Sequence, residues 1–293
     1  MAPRAIITGA AGLIGQYLVR TAPRWASGWD VRGITRAQVD LTDQSAVSSA
    51  FQRYDPQLVI HCAALSRTKD CEQDPENAKR INVEATGLLS QLARNSQFLF
   101  LSSGEVFDGA VSWYDESAEP NPINVYGRTK LEAERLVLHN PAHTVVRIVL
   151  TAGTSAGGNR SFVEDMSRAA KAGNDLTLYA DEYRCPLPAG VIARALWELV
   201  GGHKSGLYHL GGSERLSRWE IGELLVPWFP ELRSRLVRGT VRGHSGASRP
   251  PDLSLSCEKI QQTLSFPLPG LRSWLTQRTQ TGHDLWDYLP HEL

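Results

Sequence analysis

Two short stretches of the 293-residue chain carry residue types suited to chemistry. The first is Tyr126-Gly127-Arg128-Thr129-Lys130. Four residues apart on a helix, the tyrosine and the lysine share a face about one turn from each other. A phenol of pKa about 10 is nearly all protonated at neutral pH, and a neighbouring ammonium favours its anion, bringing the group toward a usable acid–base range. Leu101-Ser102-Ser103-Gly104-Glu105, at the end of a strand candidate, offers hydroxyls to join that pair. The second stretch is Thr8-Gly9-Ala10-Ala11-Gly12-Leu13-Ile14-Gly15. Its glycines permit a tight turn, let the backbone approach a pyrophosphate and allow close helix–strand packing. The helix that follows offers unpaired N–H groups and positive partial charge to phosphates. Gly9, Ala11, Gly12, Leu13, Ile14 and Gly15 are therefore candidate dinucleotide contacts.

The elements that must position these residues alternate along the first half of the chain. Arg4–Thr8, Val31–Ile34, Gln57–His61, Phe98–Leu101 and Thr144–Val149 read as strands. Leu13–Arg20, Ser45–Arg53, about Pro75–Asn95 and Tyr126 to about His139 read as helices between them. Parallel strands need crossover connections, so this rhythm predicts an α/β, Rossmann-type doubly wound parallel sheet. Continuous rather than alternating apolar runs predict strands buried on both faces. After Leu150 the rhythm breaks: Thr151–Asn159 reads as a loop, Leu176–Tyr179 and Leu207–Leu210 as strands, Val191–Val200 as a helix. Gly243–Pro251 reads as a mobile or substrate-covering loop. The expected division is residues 1–155 with 186–210 for the nucleotide-binding domain, and residues 156–185 with 211–293 for a smaller, discontinuous C-terminal substrate lobe.

Composition narrows the function classes. Thirty-one basic residues balance thirty-one acidic ones, so no global field favours nucleic acid or an anionic membrane. No apolar run approaches the roughly 18 residues of a membrane span, and no secretory signal is read at the N-terminus. Cys62, Cys71, Cys185 and Cys257 form no CxxC pair and read as reduced thiols of a cytoplasmic protein. His61, His139, His143, His203 and His209 are scattered without metal-ligand spacing, so no metal is expected. At the end of the second strand, where an acidic residue would hold ribose hydroxyls, the chain has Ile34-Thr35-Arg36. Arg36, helped by Arg32, is placed to pair with a 2′-phosphate, so NADP(H) is preferred with NAD(H) possible; the bland alternative is a solvated surface arginine.

The G-x-x-G-x-x-G spacing of Gly9, Gly12 and Gly15, with Tyr126 and Lys130, resembles the extended short-chain dehydrogenases/reductases. Phe107-Asp108-Gly109, Pro122–Lys130, Asp181–Pro186, Leu207–Gly212 and Arg249–Leu255 are similar to the dTDP-4-dehydrorhamnose reductases. That resemblance covers nearly the whole chain and implies NAD(P)H-dependent reduction of a keto group on a nucleotide-linked deoxy sugar. Counting back from Val106-Phe107 as in the family, it makes Ser103, rather than Ser102, the hydroxyl that joins Tyr126 and Lys130 as the catalytic set. It implies that Asp40 and Leu41 border the adenine, that Cys62, Ala63 and Ala64 run under the cofactor, and that Asn82 orders the active-site backbone. On the substrate side it implies Ser66, Ser103, Glu105, Phe162, Arg184 and Cys185. In many relatives the helices of Pro75–Asn95 and Tyr126–His139 form a dimer seam, which makes a homodimer possible.

Departures from the family keep two other classes open. Ser103-Gly104-Glu105 stands where those reductases commonly have Thr-Asp-Tyr, which alters the sugar-facing wall. A glutamate at Glu105 is also similar to nucleotide-sugar 4,6-dehydratases, where it serves as a base, and dehydratases and epimerases retain their NAD. The acid that usually precedes it there is Gly104 here. The regulatory β subunits of methionine adenosyltransferase are similar to the same reductases and bind NADP without turnover, which makes a binding module the third reading. Trp219 and Trp228 are expected in the core rather than as stacking platforms.

Overall fold

Successive strand residues point to opposite faces, so a strand that is apolar throughout needs a cover on both sides. Four strands are largely buried in this way, β1 (Arg4–Thr8), β3 (Leu58–His61), β4 (Gln97–Ser103) and β5 (Thr144–Ile148), while β2 (Asp30–Ile34) is a half-exposed edge strand. Ala5, Ile7, Leu58 and Ile60 enter one core, while Ile6, Val59, Phe98 and Phe100 enter another. Each fully buried aliphatic side chain of this kind contributes about 1.5–3 kcal/mol. The computed structural model describes residues 2–242, 244, 246–278 and 284–287.

The helices between the strands are α1 (Leu13–Trp25), α2 (Gln44–Tyr54), α3 (Thr68–Gln73), α4 (Pro75–Lys79), α5 (Ala85–Leu92) and α6 (Val125–Leu138). Beyond them come β6 (Thr151–Ala152), α7 (Phe162–Lys171), β7 (Leu176–Tyr179), β8 (Tyr183–Arg184), β9 (Leu187–Pro188), α8 (Ala189–Gly201), β10 (Gly206–Leu210), β11 (Leu216–Ser217), α9 (Arg218–Leu225) and β12 (Leu236–Gly239). The main sheet runs β10-β5-β4-β3-β1-β2, with every pairing parallel. Helices α1 and α8 cover one face; α2, α5 and α6 cover the other. This is a doubly wound, Rossmann-like α/β fold. Its strand order reverses between β1 and β3, and such folds place ligands in the crevice beyond the carboxyl ends of the strands at that point.

One stretch differs from the sequence expectation. The long helix expected over Pro75–Asn95 contains a π-turn at Arg80–Glu84 between α4 and α5. One extra residue per turn there re-aims side chains, and Asn82 is among them. Beyond the sheet, α7, α9 and the parallel pair of β7 with β12 come together, and their Val163, Leu178 and Ile221 join the same core as α1 and α8. Within the span 211–293, the described residues 284–287 pack against the main sheet's helices. Asp284 accepts from the Tyr17 hydroxyl at 2.6 Å, and Trp286 accepts from the Gly190 N–H at 2.9 Å, so this stretch lies on α1 and α8. In the loop expected at Gly243–Pro251, Gly243 and Ser245 lie outside the described residues. Two of its other residues are tied down: Ser248 accepts from Asn124, and Arg249 pairs with Glu182. Trp219 and Trp228 pack against the main core. No helix among the described residues is long and apolar enough to cross a membrane.

Candidate active site

The turn after β1 is dictated by space. Gly9 has φ +67°, and a Cβ there would lie 2.7 Å from the Ala63 nitrogen. At Gly15 a Cβ would lie 2.3 Å from the Gly9 oxygen, so the first turn of α1 packs directly on the turn before it. No side chain caps α1 at Gly12, which leaves N–H groups at the helix start available to an anion.

From this turn a cavity of about 660 Å³ extends along the carboxyl ends of the strands. Gly9, Ala11, Gly12, Leu13, Ile14 and Gly15 line it, followed by Arg36, Asp40 and Leu41 after β2. Cys62, Ala63, Ala64 and Ser66 follow β3, and Ser103, Glu105, Tyr126 and Lys130 stand farther along with Phe162 and Arg184. A cavity walled by this glycine turn and open to helix N–H groups fits a dinucleotide, while Gly9 and Gly15 themselves are required by the packing of the turn on Ala63 and of α1 on the turn.

Asn82 and Cys185 do not line this cavity. Asn82 stands behind it. Its Oδ1 accepts from the Leu65 N–H at 2.8 Å, while its Nδ2 donates to the Leu65 carbonyl and the Thr129 hydroxyl, each at 3.0 Å. The amide thus fixes the chain after β3 and ties it to the helix of Tyr126. Cys185 corrects the expectation of a substrate contact. Arg184 lines the cavity, and in an extended segment the next side chain turns the other way. Cys185 is buried with Val106, Phe107, Tyr114, Leu253 and Leu255, and burial pushes its thiol up to about 11. Arg32 also departs from expectation: it pairs with Asp30 at 3.5 Å and lies over the Tyr54 ring, short of the strand end where Arg36 stands.

The catalytic candidates converge from β4 and α6. Asn124 caps α6 by accepting from the Gly127 N–H at 2.8 Å, and its Nδ2 donates to Glu105 Oε2 at 2.8 Å. A Cβ at Gly127 would lie 2.0 Å from the Glu105 oxygen, so only glycine lets α6 pack this closely on the turn after β4. Ser103 and Tyr126 line the cavity together, close enough that the Ser103 hydroxyl favours the Tyr126 phenolate. Ser102 points elsewhere: it donates to Glu134, which is paired with Arg147 at 2.7 Å, both essentially buried. Arg147 reaches His209 Nε2 at 3.3 Å, and burial brings that imidazole down to about 3. This network holds the sheet to α6 and takes Ser102 out of the chemistry. Neither Gly127 nor the Glu134–Arg147 pair is singled out by the sequence reading; glycine beside the tyrosine was the available signal for the first.

The electrostatics differ from the sequence expectation at one point. Burial pushes the Tyr126 phenol above its usual range; the nearby Ser103 hydroxyl opposes this, and the Glu105 carboxylate adds to it. The Lys130 ammonium does not offset it, because it is directed at the Leu101 carbonyl, 2.6 Å away, and lies 4.0 Å over the Phe100 ring. Burial lowers Lys130 to about 7, with Glu134 and Cys62 opposing. A phenol held protonated is the form that gives a proton rather than takes one. Cys62 is pushed up to about 12 by burial, so it lines the cavity as an inert thiol.

Beside the Glu105 end lies a second cavity of about 540 Å³, sharing Thr68, Glu105, Leu150 and Arg184 with the first. Arg184, Arg218 and Arg249 line it around one carboxylate, Glu182. Arg249 pairs with Glu182 in a two-pronged contact at 2.9 and 3.0 Å, and Arg184 reaches the same carboxylate at 3.0 Å. Burial opposes ionisation of Glu182, yet the two guanidiniums hold it below its usual range. Arg218 is left with a buried Nη1 that has no hydrogen-bond partner. Burial brings its guanidinium down to about 10; Glu182 opposes this, while Arg184 and Arg249 reinforce it. Sequence reasoning missed Arg218 and Glu182, which sit on different elements with no motif between them.

Comparison with known proteins places this geometry. A family model described as the RmlD substrate binding domain matches residues 3–282. Methionine adenosyltransferase 2 subunit beta of Mus musculus is 30% identical over 303 residues, covering 98% of this chain and 88% of that protein. The probable low-salt glycan biosynthesis reductase Agl14 of Haloferax volcanii is 33% identical over 237 residues, covering 75% and 78%. The crystal structure of dTDP-4-dehydrorhamnose reductase from Bacillus anthracis in complex with NADP superposes with a TM-score of 0.86 at 23% identity, covering 94% of this chain and 98% of that one.

Proposed function

We propose, from the premise that the chain belongs to the RmlD substrate binding domain family, that it is an NADPH-dependent reductase of a keto group on a nucleotide-linked deoxy sugar. The observation that carries this reading is the meeting of two features at one end of a dinucleotide-shaped cavity. One is the Ser103–Tyr126–Lys130 set; the other is the arginine-lined recess beside Glu105. A sugar ketone needs the first, and a nucleotide's phosphates need the second.

In this reading the glycine turn holds the pyrophosphate, Arg36 pairs with the 2′-phosphate, and Asp40 and Leu41 border the adenine. Cys62, Ala63 and Ala64 form the floor, and Lys130 anchors the nicotinamide ribose. The bound nicotinamide supplies the hydride that the ketone carbon accepts. Negative charge then builds on the carbonyl oxygen, where the Ser103 hydroxyl donates a fixed hydrogen bond and Tyr126 delivers its proton. Ser66, Glu105, Phe162 and Arg184 face the sugar, and Arg184, Arg218 and Arg249 receive its phosphates. NADPH oxidation measured against a panel of nucleotide-linked 4-keto sugars tests this. The expected result is alcohol formation matched by NADPH consumed; no consumption with any member refutes it.

The second reading, a regulatory subunit that binds NADP without turnover, is favoured by similarity to the methionine adenosyltransferase β subunit across nearly the whole chain. Stoichiometric association with a methionine adenosyltransferase catalytic subunit, with no ketone reduced, would establish it. Dehydratase or epimerase chemistry has weaker support: the Glu105 carboxylate is engaged by Asn124, and Gly104 leaves no acid beside it. A homodimer through the helical stretches Pro75–Asn95 and Tyr126–His139 belongs to the same proposal, and light scattering tests it.

A further inference from the structure

We propose that His61 is a positioning residue for the cofactor: its Nε2–H tautomer joins the glycine turn after β1 to the Leu65 clamp behind β3 and sets the separation of the two. The inference rests on the reading that the cavity binds a nicotinamide dinucleotide.

The tautomer follows from counting protons. The Thr86 hydroxyl donates to the Asn82 carbonyl at 2.7 Å, and a carbonyl only accepts, so that proton is committed. His61 Nε2 lies 3.0 Å from the same hydroxyl oxygen and therefore donates to it. The neutral ring then has no proton on Nδ1, which accepts from the Thr8 hydroxyl at 2.6 Å. The Ala63 N–H donates in turn into the Thr8 oxygen at 3.4 Å. Every link points the same way, from Ala63 through Thr8, His61 and Thr86 to Asn82, and bonds aligned in this manner polarise one another.

The chain of bonds connects the cavity's two walls. At one end, Thr8 precedes Gly9, where an added Cβ would lie 2.7 Å from the Ala63 nitrogen. At the other, Asn82 holds Leu65 by both its N–H and its carbonyl. The imidazole is completely buried and stacks on Phe100 with ring centroids 5.6 Å apart. Burial, with the Lys130 charge adding to it, brings its pKa down to about 3, so the ring stays neutral and the direction of the bonds is fixed at neutral pH.

NADPH affinity of Thr8→Val, His61→Leu and the double variant tests the linkage, with ¹⁵N NMR of the histidine rings as a second readout. Each single variant is expected to weaken NADPH about five- to tenfold, the value of one buried hydrogen bond whose partner is left unmet. The double variant is expected to be no weaker than the worse single, and His61→Asn, whose amide oxygen takes the place of Nδ1, to recover part of the loss. In the NMR spectrum Nδ1 is expected unprotonated. Unchanged affinity in folded Thr8→Val, full additivity in the double variant, or a proton on Nδ1 overturns the proposal. Should His61→Leu fail to fold, Thr8→Val and the NMR measurement decide it. Should the unaltered protein fail to bind NADPH, the cofactor reading falls instead, and a proton on Nδ1 still decides against the His61 tautomer.

Discussion

The two ends of the cavity are built on different physics. At the glycine end the work is done by backbone and neutral hydrogen bonds: close approach at Gly9 and Gly15, the amide of Asn82, and a buried neutral imidazole. At the far end charge dominates, with three guanidiniums lining a recess around one buried carboxylate, Glu182, which pairs with Arg184 and Arg249. A second carboxylate, Glu105, stands beside the phenol. A wall made of backbone fits one shape and tolerates little change. A wall made of excess positive charge needs an anion to complete it, and retuning it takes only a side chain. In the proposed reading, cofactor recognition therefore belongs to the rigid end, and substrate choice to the charged end.

Substitutions can break that contrast, beginning with the largest effect. Tyr126→Phe, at the junction of the two ends, should lower kcat by about 10²- to 10⁴-fold with NADPH affinity retained, measured by steady-state kinetics and cofactor titration. Gly15→Ala, at the rigid end, forces a Cβ to 2.3 Å from the Gly9 oxygen. It should cost about 1–3 kcal/mol of stability and most NADPH binding, read by thermal melting and titration. Arg218→Met, at the charged end, should raise the KM for the nucleotide sugar about ten- to a hundredfold while leaving NADPH affinity alone. If it weakens NADPH as much as substrate, the two ends are not separate.

Smaller effects sharpen the same comparison. Arg36 is mostly exposed and only loosely paired with Asp40, at 3.8 Å, so Arg36→Ala should shift NADPH-over-NADH preference by about three- to tenfold. Equal use of the two cofactors by the unaltered protein would remove the 2′-phosphate role. His61, lowered to about 3 from an ordinary 6.5, stays neutral in the folded chain while the unfolded chain takes up a proton. Stability is therefore fully present above about pH 6.5 and is lost as pH falls toward 3. His61→Asn removes that proton uptake from the unfolded chain, so its melting temperature should fall less steeply over this window than that of the unaltered protein.

What the sequence made legible follows the same division. The glycine turn and the Tyr126–Lys130 helix could be read because both are local: a few neighbouring residues determine the conformation. The inner strands could be read because burial on both faces leaves largely apolar runs, whereas the edge strand β2 keeps Asp30 and Arg32. The π-turn at Arg80–Glu84 could not, since it exists to aim Asn82 at Leu65, a partner seventeen positions away. The arginine recess draws on Arg184, Arg218 and Arg249 from separate segments, so no spacing announces it. Cys185 was misplaced because a motif spanning Arg184 and Cys185 treats both as facing one way, whereas an extended chain turns them apart. The rise in the Tyr126 pKa was also hidden, because only the fold directs Lys130 to the Leu101 carbonyl and sets Glu105 beside the phenol.

The most direct test of the account is NADPH oxidation with a nucleotide-linked 4-keto sugar, run side by side on the unaltered protein and Tyr126→Phe. The account predicts turnover by the first and near-complete loss in the second, with both binding NADPH equally. Equal turnover by the two proteins, or none by the unaltered one across the whole sugar panel, would contradict it.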